Sequence, residues 1–95
     1  MDSQDAYKQK MAAQLKEWSA QINLLEARME NASADMKVQG VEQLRALRAK
    51  QAAASEQMNA LGKASGEAWT HVMKTADKVW EDLKTGLAEA HSKFK

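Results

Sequence analysis

Glu67-Ala-Trp-Thr-His-Val72 is followed by Lys78-Val-Trp-Glu-Asp-Leu83 and Glu89-Ala-His-Ser-Lys-Phe94, three segments spaced eleven residues apart. At about 100° per residue, eleven residues return almost to the starting angle on an α-helix, so equivalent side chains share one face. The charged side chains fall on the opposite face. The repeat therefore predicts one amphipathic helix over residues 67–94, whose apolar stripe contains Trp69, Val72, Trp80, Leu83, Leu87 and Phe94.

A second apolar stripe runs through the first third of the chain. From Met11 to Met36 its spacing alternates between four and three residues, which is a heptad pattern and is typical of a coiled-coil contact. We expect a helix over residues 3–36 or so. The large side chains of this stripe are Tyr7, Met11, Leu15, Trp18, Ile22, Leu25 and Met29.

The segment that follows allows two interpretations. In a helix that continues to residue 61, the first stripe stays in phase through Leu47 and Leu61, but Val38 and Val41 face water. In a chain that turns near residues 33–40, a separate helix places Val41 on one stripe with Leu47 and Leu61. The absence of Pro and the helix-forming residues around Gly40 favour a continuous or kinked helix.

The clearest turn signal is Leu61-Gly62-Lys-Ala-Ser65-Gly66-Glu67. Gly62 suits the left-handed position that ends many helices, and Ser65 suits the N-cap of the next helix. We therefore place a turn at residues 62–66. The sequence predicts a single all-α domain over residues 1–95, either an antiparallel helical hairpin with coiled-coil packing or, if the chain also turns near residues 33–40, a three-helix bundle.

The composition excludes several classes of protein. The chain of 95 residues has no Pro, no Cys and 4 Gly, which disfavours a many-stranded β-fold and excludes disulfides and thiolate chemistry. Its 14 basic and 13 acidic residues give a net charge of +1, which provides little attraction to nucleic acid. No segment has the length and apolarity of a membrane span, and the first residues lack a signal-peptide pattern, so we expect a cytoplasmic protein.

No group of side chains in the sequence indicates catalysis. His71 and His91 are twenty residues apart and cannot form an i, i+4 metal pair, while Glu26 and Glu30 lack the Glu-x-x-His motif of di-iron bundles. Nucleotide-binding loops and nucleophile motifs are also missing. We therefore predict a non-enzymatic protein with no catalytic residues, no metal ligands and no cofactor.

Charge is distributed unevenly along the chain. Residues 1–36 carry four basic and six acidic side chains, whereas residues 37–63 carry five basic and two acidic ones, so these segments are expected to attract each other. Arg45, Arg48 and Lys50 form a basic cluster. A solvated helix face explains the cluster most simply, and a contact with an acidic protein partner is the weaker alternative.

Several segments resemble a group of small bacterial coiled-coil-domain proteins of about this length and no established function. They are Tyr7-Lys-Gln-Lys-Met-Ala-Ala-Gln-Leu-Lys-Glu-Trp18, Leu24-Leu25-Glu-Ala-Arg28, Gln43-Leu-Arg-Ala-Leu-Arg48, Ala64-Ser-Gly-Glu-Ala-Trp69 and Trp80-Glu-Asp-Leu-Lys84. The resemblance implies a long helical, oligomeric protein and brings no catalytic or ligand residues. Val38, Gly40 and Val41 depart from the pattern of the group. The eleven-residue repeat is also similar to those of exchangeable apolipoproteins and granule-coating phasins.

These features predict a self-associating interaction or scaffold protein, a homodimer or homotetramer that uses both apolar stripes as its interaction face. Replacement of Trp18 or Ile22 by Asp is then expected to dissociate the oligomer. The alternative is a peripheral protein whose last helix binds a membrane or a hydrophobic granule. Residues 64–95 carry five basic and five acidic side chains, so they lack the excess of Lys and Arg that anionic lipid attracts, which favours helix packing.

Overall fold

A computed structural model of the protein describes residues 3–93, which form three α-helices and, within that range, no strand. Helix α1 is Ser3–Glu30, α2 is Ala34–Lys63 and α3 is Glu67–Lys93. The helices pack side by side into an elongated bundle with extents of 51 × 21 × 18 Å. The predicted all-α class is confirmed, and of the two predicted architectures the three-helix bundle is the one observed.

The first turn lies at residues 31–33, so the favoured prediction of a continuous or kinked helix to residue 61 was wrong. The Asn31 and Ala32 amides donate to carbonyls three residues earlier, at 3.2 and 3.1 Å, and close the end of α1. Ser33 has an extended backbone, and its hydroxyl accepts from the Met36 amide at 3.5 Å as the N-cap of α2. Asp35 in the first turn of α2 complements the helix dipole.

We had predicted that Gly62 takes the left-handed conformation at the second turn, but Gly66 takes it instead. Helix α2 continues through Gly62 to Lys63, and the amide of its C-cap, Ala64, donates to the Ala60 carbonyl at 3.0 Å. Gly66 has a φ of +59°, a left-handed conformation that disfavours a Cβ atom. Ser65 makes no capping hydrogen bond to any other described residue. The reversal therefore falls next to α3 and not at the end of α2.

The core lies where the stripes of the three helices meet. In α2 the inward-facing positions are 40, 44, 47, 51, 54, 58 and 61, again a heptad pattern. Gly40 is therefore buried, and Val41, which we had placed on this stripe, is 42% exposed. The buried residues of the hydrophobic core are Met11, Ile22, Leu25, Leu47, Ala54, Leu61, Trp69, Ala76, Trp80, Leu83, Leu87 and Ala90.

Helix α2 is the central helix of the bundle, because both α1 and α3 pack on it more extensively than they pack on each other. At Gly86 of α3, a Cβ atom would lie 3.2 Å from Cδ2 of buried Leu47 and 3.0 Å from Nζ of Lys50. The missing side chain thus lets α3 approach α2 closely. Each helix reverses the direction of the one before it, so α1 and α3 run parallel.

Polar contacts between α1 and α2 agree with the opposite charges of the two segments. Arg48 of α2 donates to the Glu26 carboxylate of α1, and also to Oδ1 of Asn23 at 3.1 Å. Nearby, Gln51 Nε2 donates to the Ser19 hydroxyl at 2.7 Å. Both partners of the ion pair are partly exposed, so it contributes about 1 kcal/mol at most. These contacts fix the register of α1 on α2 more than they stabilise the fold.

Candidate binding groove

The predicted interaction face lies mainly inside the bundle. Its buried members are Met11, Ile22, Leu25, Trp69, Trp80, Leu83 and Leu87. Tyr7, Leu15, Trp18 and Val72 are half-buried against this core, and Met29 is half-buried. Phe94 lies outside the described residues. These side chains therefore mainly hold the three helices of one chain together, and the predicted face is not free as a whole for a binding partner.

An open groove of about 680 Å³ lies between α1 and α3. Its volume falls within the range of roughly 300–1,000 Å³ that is usual for ligand-binding clefts. The groove is lined by Trp18, Gln21, Leu24, Leu25, Arg28, Lys84, Leu87, Ala88, His91 and Ser92. It runs along the seam where α1 and α3, the pair of helices with the smallest mutual contact, lie next to each other.

The groove combines apolar and basic side chains. Leu25 and Leu87 are buried at its base, Trp18 is half-buried, and Leu24 is 61% exposed. Arg28 and Lys84 are exposed and form no ion pair with another described residue. No Asp or Glu is among the described residues that line the groove. It therefore suits a partner that is apolar on one side and negatively charged at its edges.

At their amino-terminal ends α1 and α3 are joined by a cluster around Tyr7. The Tyr7 hydroxyl donates to the Asp77 carboxylate and lies 3.5 Å from the Met73 carbonyl oxygen. The Tyr7 and Trp69 rings pack edge to face, with centroids 5.7 Å apart, and Lys8 Nζ lies 5.5 Å from the Trp69 ring centroid. This cluster positions the two helices, and it sets the register that brings residue 18 of α1 close to residue 84 of α3.

The Tyr7 cluster predicts a change in alkaline behaviour. Burial, the hydrogen bond to Asp77 and the charge of Asp77 all raise the pKa of Tyr7 above its usual value of 10.0. The unfolded chain loses this proton first, so stability is expected to fall as the pH rises above about 10. Because Tyr7 is the only tyrosine, ultraviolet absorbance reports its ionisation directly.

Two variants and one observation test this prediction. In Tyr7→Phe, which removes the hydrogen bond and the ionisable group, the stability at pH 7 should fall by about 1 kcal/mol and the alkaline loss should become smaller. In Asp77→Asn, which removes the acceptor charge, the absorbance titration of Tyr7 should move towards its usual range. A titration of the native protein centred at the usual tyrosine value would contradict the assignment.

The predicted basic cluster does not form one patch. Arg48 points to α1 and bonds Glu26, whereas Lys50 lies on the other side of α2 beside Gly86 of α3. Arg45 is exposed and lies 3.9 Å from Glu42. The three cations occupy different sides of the helix, which leaves little support for a joint contact with an acidic partner.

Val38 and Val41 form a second exposed apolar patch, away from the groove. Val38 is 72% exposed and Val41 is 42% exposed, one turn apart on α2. Lys37 precedes Val38 and Glu42 follows Val41 in the sequence. Neither valine lines the groove between α1 and α3, so the patch is a separate and smaller apolar surface.

The two histidines are far apart. His91 lies at the edge of the groove, and His71 is exposed near the start of α3. Within residues 3–93, no three side chains of His, Cys, Asp or Glu come together in a way that suits a metal ion. None of the helices over the same residues has the length and apolarity to cross a membrane.

Comparisons with known proteins give no match: no family model fits the chain, and neither curated proteins nor solved structures show significant similarity to it. The resemblance to small bacterial coiled-coil-domain proteins thus stays a prediction. The groove has to be interpreted from its own geometry.

The groove residues that the sequence analysis did not place on an interaction face are Gln21, Leu24, Arg28, Lys84, Ala88 and Ser92, and it placed His91 only at the edge of the apolar stripe. One signal was present, since Leu24 is a large apolar residue outside the heptad stripe of α1. Its neighbours on α3 gave no such signal. Only the packing of the three helices shows that these sides of α1 and α3 lie next to each other and form a groove.

Proposed function

We propose that this chain is a non-enzymatic helical interaction protein that binds a further α-helix in the groove between α1 and α3. The observation that carries this proposal is the helical spacing of both groove walls. On α1 the wall contains residues 18, 21, 25 and 28, and on α3 it contains residues 84, 88 and 91. Such i, i+3/i+4, i+7 positions on two neighbouring helices receive the side chains of a third helix.

The exposure of Leu24 supports the same proposal. This large apolar side chain is 61% exposed beside the buried Leu25, on the rim of the groove. A helix packed about 8–10 Å from α1 and α3 would cover Leu24 and complete a four-helix arrangement. From residue 18 to residue 28 the α1 wall is about 15 Å long, which corresponds to roughly three turns of a docked helix.

Self-association is one form of this interaction, and the predicted homodimer or homotetramer remains a proposal. Because Ile22 and most of the predicted interaction face are buried within one chain, an oligomer would use the groove or the Val38–Val41 patch instead. A scaffold role follows only if the groove connects different molecules. The solution mass of the chain decides whether it assembles with its own copies.

The experiment combines light scattering with a helical probe peptide. The probe has about 14 residues, leucines at i, i+3, i+4 and i+7, and equal numbers of Lys and Glu elsewhere. We expect its addition to shift backbone amide resonances along residues 18–28 and 84–92. Leu24→Asp should weaken binding at least about tenfold, because a charge replaces an apolar contact. Val38→Asp, a matched change at an exposed site away from the groove, should leave it unchanged.

The proposal fails if the chain has the 10.6 kDa mass of a monomer and no peptide binds through the groove. It also fails if Leu24→Asp and Val38→Asp affect binding or assembly equally. Circular dichroism of both variants establishes first that they keep the helical fold.

Binding of the last helix to a membrane or hydrophobic granule is the alternative proposal. The buried state of Trp69 and Trp80 argues against it, since α3 would have to leave the bundle before its stripe could reach a surface. Addition of lipid vesicles should therefore leave the fluorescence maxima of the protein unchanged. A blue shift, together with loss of the interhelix contacts in nuclear magnetic resonance spectra, would favour the surface-binding alternative.

A further inference from the structure

Charge and helix direction define which kind of helix fits the groove. We infer that its ligand is an acidic amphipathic helix of a partner protein, which runs antiparallel to α1 and α3. This inference rests on the proposed helix-binding function and adds the charge and the orientation of the bound helix.

The charge follows from the side chains that line the groove. Arg28 and Lys84 stand on opposite walls, are exposed and have no carboxylate partner among the described residues. Since α1 and α3 run parallel and Tyr7 lies beside Asp77, Lys84 is near the Trp18 end of the groove and Arg28 is near the other end. A helix with leucines on one side and Glu or Asp along both borders places carboxylates near both cations. Complementary charges of this kind raise association rates and select against basic partners.

The orientation follows from the ends of the two wall helices. Helix α1 ends at Glu30 and α3 ends at Lys93, both close to the Arg28 end of the groove. The carboxyl ends of helices carry partial negative charge, and amino ends carry partial positive charge. A helix whose amino end lies there is antiparallel to both walls. Acidic residues in its first turn would stabilise that helix and also contact Arg28.

The same charges disfavour a second copy of this chain as the occupant. Two grooves packed face to face around a two-fold axis would bring Arg28 and Lys84 of one copy towards the same cations of the other. An acidic helix from another protein avoids this repulsion.

The experiment compares three versions of the probe peptide that differ only in charge. One version has Glu at every non-leucine border position, one has Lys there, and one is the charge-balanced probe. We expect the acidic peptide to bind about tenfold or more tightly than the basic one at low salt. The difference should shrink as the ionic strength rises to about 0.15 M, where the Debye length is about 8 Å.

Charge reversal in the protein provides the matched control. In Arg28→Glu/Lys84→Glu the preference should invert, so that the basic peptide binds more tightly than the acidic one. Lys74→Glu/Lys78→Glu changes two other exposed lysines of α3 that do not line the groove, and it alters the net charge by the same amount. This variant should retain the preference for the acidic peptide, which distinguishes a local effect from the change in net charge.

A paramagnetic label reports the orientation. Attached to the amino end of the acidic peptide, it should broaden the amide resonances near residues 28 and 91. Attached to the carboxyl end, it should broaden those near residues 18 and 84. The opposite pattern would overturn the antiparallel assignment.

The remaining outcomes separate failure of this inference from failure of the proposed function. If the charge-balanced peptide binds through Leu24 but the acidic one has no advantage over the basic one, the helix-binding function stands and the acidic partner is excluded. If dodecanoate binds in the groove and none of the peptides does, the occupant is an anionic amphiphile and both proposals fail. If the chain forms an oligomer that Leu24→Asp dissociates, the occupant is a second copy and the inference is overturned.

Discussion

Ile22→Asp is expected to unfold the bundle. Ile22 is 0% exposed and contacts the core between the three helices. Truncating such a side chain costs about 2–5 kcal/mol. An unpaired carboxylate at the same place adds several kcal/mol more. Because small domains are often stable by only about 5–15 kcal/mol, the variant should lose most of its helical circular dichroism signal at 25 °C.

Leu24→Asp is the matched control for this change. Leu24 lies two residues away on α1, but its side chain is 61% exposed. The same aspartate is hydrated there, so the stability should change by about 0.5 kcal/mol or less. Thermal or urea unfolding of the pair measures the difference. If Ile22→Asp remains folded and merely lowers the mass of an oligomer, the stripe faces another chain and the original prediction of dissociation was right.

The fold class was predictable because each helix carries its own period. The heptad of α1 and the eleven-residue repeat of α3 specify one buried face, and the buried residues of both helices lie on those faces. Neither helix contains Pro, and the one glycine within their bounds, Gly86, is buried against α2. Local pattern and tertiary packing agree here, which is the condition under which sequence reasoning works best.

The first turn was harder to predict because its signal is weak. The chain reverses at Asn31-Ala-Ser33 without Pro or Gly, through a serine N-cap and two short hydrogen-bonded turns. Gly40 gave a misleading signal, since it is buried within α2. A residue that breaks isolated helices is tolerated where packing covers it. The position of the turn then sets the phase of α2, which puts Val41 outside the core.

The groove was not predictable from the sequence because it is a property of two helices. Each stripe shows which residues avoid water, but it does not show whether their partner is another helix of the same chain or of a second chain. Leu24 indicates a binding surface only in the folded chain, where Lys84 and Ala88 of α3 form the opposite wall of the groove. The net charge of the chain gave no indication of the groove either, because a value near zero does not show that Arg28 and Lys84 line the same surface.

Leu83→Ala is expected to be the most destabilising of the conservative truncations in α3. Leu83 is 0% exposed and is among the largest side chains that are fully buried. Loss of its apolar contacts, together with the cavity left behind, should reduce the free energy of unfolding by about 2–5 kcal/mol. In a domain of this size that corresponds to a fall in Tm of about 10–30 °C.

Leu24→Ala removes the same atoms from an exposed site, so it isolates the effect of burial. Its stability should remain within about 0.5 kcal/mol of the original, with the same slope against urea concentration. Equal losses in the two variants would show that Leu24 is covered in solution, which requires an occupant of the groove. The two variants could also differ in stability at low protein concentration and lose stability equally at high concentration. That result would identify the occupant as another copy of the chain, since only binding between copies makes stability depend on protein concentration.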